Sequence, residues 1–303
     1  TLSTLPDDAV VLIDGLVACG VPDVVVPQAR RLKIVVLVHL PLGDEVGAAL
    51  SAAAELAALE RETLHAASAV VVTSSWVARR LVATHSLAAD RIQVATPGAD
   101  PAPLAAGTDG ASRLLCVGSI TPTKGQDLLV EALATVHDAA ADLPWSCDLT
   151  GPLSRNPVHV AAVRSMIDRH GLGARVRLTG PKTGERLEAA YAEADLLVLP
   201  SRVEAYGMVV TEALARGIPV LAAAVGGVPE SLGYDPGGRV PGILVPPADV
   251  AALAEALRRW FGDPALRDWL RGTARRRRDT LDGWGVTSRC LAEVLERLNG
   301  TPA

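Results

Sequence analysis

Lysine is nearly absent from this 303-residue chain: of its 29 basic residues only Lys33, Lys124 and Lys182 are lysines. Aromatic residues make up only 3%, which removes the stacking platforms used by single-strand nucleic-acid binders. The four cysteines, Cys19, Cys116, Cys147 and Cys290, are scattered, with no CxxC and no metal-like spacing. No metal site is expected, and unpaired cysteines point to a reducing, cytoplasmic compartment. Apolar runs stay below the ~18 residues a spanning helix needs, so any membrane contact is expected to be peripheral at most. The formal net charge of −5 gives no general attraction to nucleic acid or acidic membrane. The first residues are polar and carry no signal-peptide pattern.

With 49% hydrophobic and 21% charged residues, the chain is a globular α/β candidate, long enough for two domains. Apolar runs at Ala9–Leu12, Leu32–Val38, Ala69–Val72 and Arg91–Ala95 read as strands. Helical patterns fall at Glu45–Ala66 and Ser75–Thr84. A Pro/Gly/Ala-rich stretch, Pro97–Gly110, reads as a linker. The alternation then restarts, with strands at Leu114–Val117, Trp145–Leu149, Val176–Thr179, Leu196–Leu199, Pro219–Ala222 and Gly242–Val245. Helices separate them at Gln126–Ala139, His159–His170, Glu185–Ala192 and Val209–Ala215, and Val250–Phe261 and Pro264–Arg277 follow. Strand, short turn and helix repeated in this way specify parallel sheets covered on both faces. The expected division is residues 1–105, joined by a C-terminal helix at 283–299, and residues 112–282. A ligand cleft is expected at the carboxyl ends of the two sheets. The first unit has about four strands and starts without Met, so roughly 50–60 preceding residues are expected in the native protein.

The most informative segment is Pro200–Ile218, PSRVEAYGMVVTEALARGI. Two carboxylates, Glu204 and Glu212, are separated by seven residues, with Tyr206-Gly207 between them and a buried strand before them. A glycine opening a helix lets a ligand approach unpaired N–H groups, a natural seat for phosphate, and the flanking carboxylates suit sugar and ribose hydroxyls.

The turn Gly118-Ser119-Ile120-Thr121-Pro122-Thr123-Lys124-Gly125 is neither a dinucleotide fingerprint nor a Walker loop. A lone lysine in such a turn is ordinarily solvated. Beside the Glu pair, its point charge and a helix N-terminus together would hold a diphosphate. Gly226-Gly227 fits either a strand-to-helix turn or backbone approach to a ligand. His39, at a strand end before Leu40-Pro41, sits where α/β folds place chemistry, and Asp14-Gly15 is a weaker instance. Arg275–Arg278 reads as a solvated helix face, or as a docking patch for an anionic acceptor or lipid surface.

The run of VGSITPTKG, VRLTG, ADLLVLPS, the E-x7-E pair, EALARGIPV, GGVPE and GILVPPAD resembles, in order and spacing, the nucleotide-binding domain of retaining glycosyltransferases of family 4. The match covers about 170 residues. The HLPL at His39, SAVVVTSSWVARRL and RIQVATPGAD resemble the family's first domain more loosely, and Trp284 resembles a tryptophan before its final crossing helix.

The resemblance implies a GT-B fold, two Rossmann-like domains facing a cleft, with the N-terminal one truncated here. It implies hexose transfer with retention from a UDP-, GDP- or ADP-sugar to a small-molecule, lipid or glycan acceptor, without a required cofactor or metal. Lys124 would neutralise the diphosphate, Glu212 would bind ribose hydroxyls, and Glu204 would sit by the donor sugar. Gly207, Met208 and Val209 would give backbone contacts, with Gly118, Ser119 and Tyr206 beside them. Gly180, with Thr179 and Pro181, would border the base, and His39 would face donor sugar and acceptor. Lys124, Glu204 and His39 are thus the expected catalytic groups. Ser119 stands where the family often has Arg, which removes one diphosphate contact and raises the alternative of a catalytically impaired nucleotide-sugar binder or partner subunit. A nicotinamide-linked or epimerase reading is disfavoured by the missing glycine fingerprint.

Overall fold

The computed structural model describes residues 2–44, 50–108, 112–139 and 145–300. The chain forms two compact units, Thr1–Gly98 with Asp282–Ala303, and Ala99–Leu281.

The first unit holds a four-stranded parallel sheet: β1 (Val10–Asp14), β2 (Lys33–Val38), β3 (Ala69–Val72) and β4 (Ile92–Val94), in that order. All four residues of β3 are buried, as expected for a short all-apolar strand between two neighbours. Two short helices that the apolar pattern does not announce, α1 (Gly15–Gly20) and α2 (Pro22–Val25), fill the β1–β2 connection. Asp14 caps α1 by accepting from Leu16 N, and Pro22 starts α2 where no amide donor is needed. Helix α3 (Leu50–Ala66) begins after residues 45–49, the part of the expected Glu45–Ala66 helix that lies outside the described residues. Helix α4 (Ser75–His85) is capped by Ser74.

Gln126–Ala139, the first helix of the second unit, is labelled α5, and the last helix of the chain, α12 (Trp284–Asn299), returns to the first unit. Its Val294 packs with Val35, Val71 and Ala95, Thr287 donates to Thr96 O at 2.7 Å, and Lys33 Nζ reaches the terminal carbonyl of Leu298 at 2.9 Å.

In the second unit the strands are β5 (Arg113–Val117), β6 (Ser146–Thr150), β7 (Val176–Gly180), β8 (Leu196–Leu199), β9 (Val220–Ala223) and β10 (Gly242–Val245). They form one parallel sheet in the order β10-β9-β8-β5-β6-β7. After α5 the helices are α6 (Pro157–Arg169), α7 (Glu185–Ala192), α8 (Met208–Ala215), α9 (Val228–Leu232), α10 (Val250–Gly262) and α11 (Pro264–Arg278). Successive strand residues point to opposite faces, so each strand feeds two cores. Leu114, Cys116, Leu196 and Val198 pack with α5, α6 and α10, whereas Leu115, Leu197 and Leu199 pack with Tyr191, Val210, Leu214 and Leu232.

Two expectations change. The stretch read as a linker is partly bound to the second unit: Ala105 N donates to Arg216 O and Gly107 N to Ala192 O, both at 2.9 Å. A segment without its own secondary structure still needs acceptors for its amides, and here helix ends supply them. Of the arginine run, Arg275 is exposed, as a solvated face requires, whereas Arg276–Arg278 are partnered within the fold. Arg276 pairs with the buried Asp235 at 2.7 Å, Arg277 donates to Leu232 O, and Arg278 donates to Ala102 O at 2.7 Å.

Candidate functional site

In the second sheet β5 and β8 are neighbours, but the helices that follow them cover opposite faces, α5 one core and α8 the other. The chain therefore parts at the carboxyl ends of these strands, the switch point where open α/β sheets hold ligands. Two turns meet there, residues 118–125 after β5 and residues 200–207 after β8. Gly125 (φ +68°) draws them together, because a Cβ would overlap the carbonyl oxygen of Pro200. Arg202 joins them: it grips Asp127 at 2.9 and 2.6 Å and donates to Pro122 O at 2.7 Å, while its own amide donates to Thr123 O. A forked guanidinium suits this work because it spans a carboxylate and a carbonyl in one plane.

Within this frame the structure brings Lys124 and Glu204 together, Nζ to Oε1 at 2.5 Å. Ser201 donates to the same oxygen at 2.9 Å. The Glu204 side chain is only 8% exposed and that of Lys124 30%, so the pair is poorly screened by solvent. Beneath it, burial pushes the Cys116 thiol up to about 12, leaving a neutral, inert apolar floor. Ser119, in the first turn after Gly118, presents its carbonyl to Gln126 Nε2 at 3.0 Å; Gln126 is buried and its Oε1 has no partner among the described residues.

Gly207 (φ +86°) opens α8 without a side-chain cap, and Met208 is exposed. The first amides of that helix, at Met208 and Val209, thus carry the partial positive charge of an unsatisfied helix start. Tyr206 precedes them at the end of the turn. Glu212, one turn into α8, does not join the Lys124–Glu204 pair. It accepts instead from the buried Tyr191 hydroxyl at 2.6 Å. Gly180 ends β7, two strands from β5, and accepts from Gly151 N at 3.0 Å beside the paired hydroxyls of Thr150 and Thr179. For Gly226-Gly227 the close neighbour is the chain itself. A Cβ on Gly226 would overlap Glu204 O, one on Gly227 would overlap Ala205 O, and Gly227 N donates to Glu204 O at 3.1 Å.

His39 belongs to the first unit. Its Nε2 lies 3.1 Å from Asp14 Oδ2, and both side chains are exposed. The loop behind it is anchored on both sides: Thr73 Oγ1 donates to His39 O, and the buried Glu60 accepts from Leu42 N while pairing with buried His85 at 2.8 Å. Motif reading passes over Arg202, Asp127, Ser201, Tyr191 and Glu60. Ser201 and Arg202 lie inside the PSRVEAYG motif and carry that much signal; the others do not, because their partners are remote in sequence. Among the described residues no three His, Cys, Asp or Glu side chains gather as a metal site, and no helix is long and apolar enough to cross a membrane.

The family model for glycosyl transferases group 1 matches residues 107–277. D-inositol 3-phosphate glycosyltransferase of Kineococcus radiotolerans is 32% identical over 261 residues, which cover 78% of this chain and 59% of that protein. The enzyme of the same name from Jonesia denitrificans is 29% identical over 254 residues, again 78% and 59%. Among solved structures, sucrose-phosphate synthase from Thermosynechococcus elongatus superposes with a TM-score of 0.76 at 24% identity, over 96% of this chain and 74% of that one. Anabaena HepE in complex with UDP-glucose gives 0.76 at 21%, over 94% and 78%. These likenesses establish the fold, an α/β chain with two parallel sheets and GT-B structural neighbours. The chain spans less than two thirds of the length of the curated relatives it matches, 59% of the two above.

Proposed function

The chain belongs to the glycosyl transferases group 1 family, and from that membership we propose that it is a retaining hexosyltransferase using a nucleotide diphosphate sugar. The observation that carries the reading is the half-buried Lys124 and the uncapped start of α8 at the carboxyl ends of two neighbouring strands. When the bond between the anomeric carbon and the phosphate oxygen breaks, its electron pair leaves with the nucleoside diphosphate. The Lys124 ammonium and the amides of Met208 and Val209 stabilise that charge, so no metal is required. The acceptor oxygen forms the new bond on the same face, and its proton passes to the leaving phosphate oxygen. Gly118, Ser119, Tyr206 and Gly207 line the diphosphate, Gly180 borders the base, and Glu212 binds the ribose.

Glu204 takes the donor sugar. Its carboxylate also accepts from Lys124 Nζ. His39, in the first unit, is assigned to donor sugar and acceptor by the family resemblance. UDP is the first nucleotide to test because Anabaena HepE was solved with UDP-glucose. D-inositol 3-phosphate is the first acceptor because it names the curated relatives.

The test is release of nucleoside diphosphate from UDP-, GDP- and ADP-hexoses in the presence of EDTA, with and without acceptor. Glu204→Ala should leave nucleotide binding intact and lower transfer about a hundredfold, in the range of one lost transition-state contact. Full activity in that variant would remove Glu204 from the chemistry. Ser119 supports one other reading, a nucleotide-sugar binder without turnover, which saturable binding with no release from any donor would favour.

A further inference from the structure

We infer that Tyr191 is a specificity-determining positioning residue: by fixing the Glu212 carboxylate, it makes the site select ribonucleoside over deoxyribonucleoside diphosphates. The inference rests on the assignment of Glu212 to the ribose.

Tyr191 lies in the last turn of α7, 1% exposed, in the apolar cluster with Leu197, Val210 and Leu214. A buried tyrosine hydroxyl needs a partner, and a backbone carbonyl would serve. Here the partner is the carboxylate of a half-buried glutamate on the next helix, Oε2 of Glu212 at 2.6 Å. Burial, and then the charge of Glu212, push the tyrosine hydroxyl far above its usual pKa, so it acts as a donor at every working pH. Arg216 completes the clamp. Its guanidinium stacks over the Tyr191 ring at 4.5 Å, pairs with Glu188 at 2.6 Å and donates to the main-chain oxygen of Glu212 at 2.7 Å. Glu212 is therefore held at both its side chain and its backbone by residues that lie behind it.

This arrangement has a chemical consequence. An ionised carboxylate is an acceptor-only group. It repels phosphate and demands hydroxyl or amide donors. With Oε2 engaged, Oε1 keeps both lone pairs and Oε2 keeps one, enough for the two donors of a vicinal diol. A ligand lacking those hydroxyls would desolvate the carboxylate and leave its remaining lone pairs without donors, and such sites discriminate strongly. Without the tyrosine, Glu212 would gain rotamer freedom and could turn to water, so discrimination would fall even though the carboxylate remained.

The experiment is calorimetric titration of the whole chain with UDP, GDP and ADP, continuing with the tightest binder and its 2′,3′-dideoxy analogue. Wild type should prefer the ribonucleotide by at least about tenfold, and Tyr191→Phe should weaken the ribonucleotide about fivefold while leaving the dideoxy analogue unchanged. In a Glu212→Ala background the same substitution should have no further effect. Glu212→Asp, which withdraws the carboxylate from Tyr191 with the ring intact, should reproduce the loss of preference and covers the case of a poorly folded Tyr191→Phe. Equal weakening of both ligands by Tyr191→Phe, or no change in either, would overturn this inference alone. Failure of every nucleoside diphosphate to bind wild type would overturn the ribose assignment and this inference with it.

Discussion

The turns after β5 and β8 and the chain that leaves β1 and β2 do the same topological work, following adjacent parallel strands at a carboxyl edge, but they are held in different ways. In the second unit the side chains of the site bind one another: Arg202 grips Asp127, Lys124 meets Glu204, and Tyr191 meets Glu212, all at least partly shielded from water. In the first unit the backbone is held and the tip is left open. Glu60 and Thr73 anchor the main chain at Leu42 and His39, while the His39 imidazole and Asp14 carboxylate stand in solvent. Charges fixed in a shielded site need little reorganisation when a charged ligand arrives. An exposed imidazole on an anchored loop can instead change partner without disturbing the loop beneath it. The two regions thus contrast side chains fixed by one another with side chains left exposed on an anchored backbone.

The sharpest way to break this contrast is Gly226→Ala. Its φ of +54° disfavours an L side chain, and the new methyl would overlap the carbonyl of Glu204. The turn must shift, at about 4 kcal/mol from backbone strain and overpacking together. Hydrogen exchange should rise across residues 200–230, while residues 33–44 stay protected; a uniform rise in both units would contradict the separate anchoring described above.

Glu60→Ala is the counterpart in the first unit. It strands the Leu42 amide and the buried His85, at about 3 kcal/mol. The thermal stability of residues 33–44, followed by exchange, should fall, and the nucleotide binding proposed at Lys124 should not. Glu60→Gln, which keeps an acceptor for Leu42, should recover part of the loss. No recovery would mean that the His85 partnership alone matters.

How much of this was legible before the structure depends on how far apart the partners lie in sequence. Strands Ala69–Val72, Leu196–Leu199 and Gly242–Val245, and helices Gln126–Ala139 and Glu185–Ala192, were readable to the residue because apolar runs and turn residues bound them sharply. Helices α1 and α2 were not, because the short segment Gly15–Val25 has a cap and a proline but too few turns to show a period. Glu204 and Lys124 could each be singled out, yet their mutual contact joins residues 80 apart and no local pattern encodes it. Tyr191 reads as one more core residue of an amphipathic helix, since only the position of α8 reveals what its hydroxyl meets. The glycine pair at 226–227 marks a close approach in sequence, but only the packed turns reveal that the approaching atoms are the chain's own.

The smallest expected effect tests the electrostatic half of the comparison. Burial alone would push the Asp127 carboxyl up, but the hydrogen bond and charge of Arg202 outweigh it and hold the carboxyl below its usual range. A depressed acid contributes stability that is complete above its unfolded value, near about 4, and is lost as pH falls through the folded one. His159, 3.8 Å from Asp127, has its pKa lowered by burial, so the unfolded chain binds a proton more readily and stability also declines below about 6.5. Arg202→Gln removes the first contribution and leaves the burial of His159. Both partners are about a quarter exposed, so the loss at neutral pH should be only about 1 kcal/mol after screening. In urea unfolding across a pH series, wild type and variant should differ most at neutral pH and converge as Asp127 is protonated, both retaining the earlier decline that belongs to His159. A gap that stays constant through the acidic range would mean that Arg202 stabilises these turns through its bond to the Pro122 carbonyl rather than through charge.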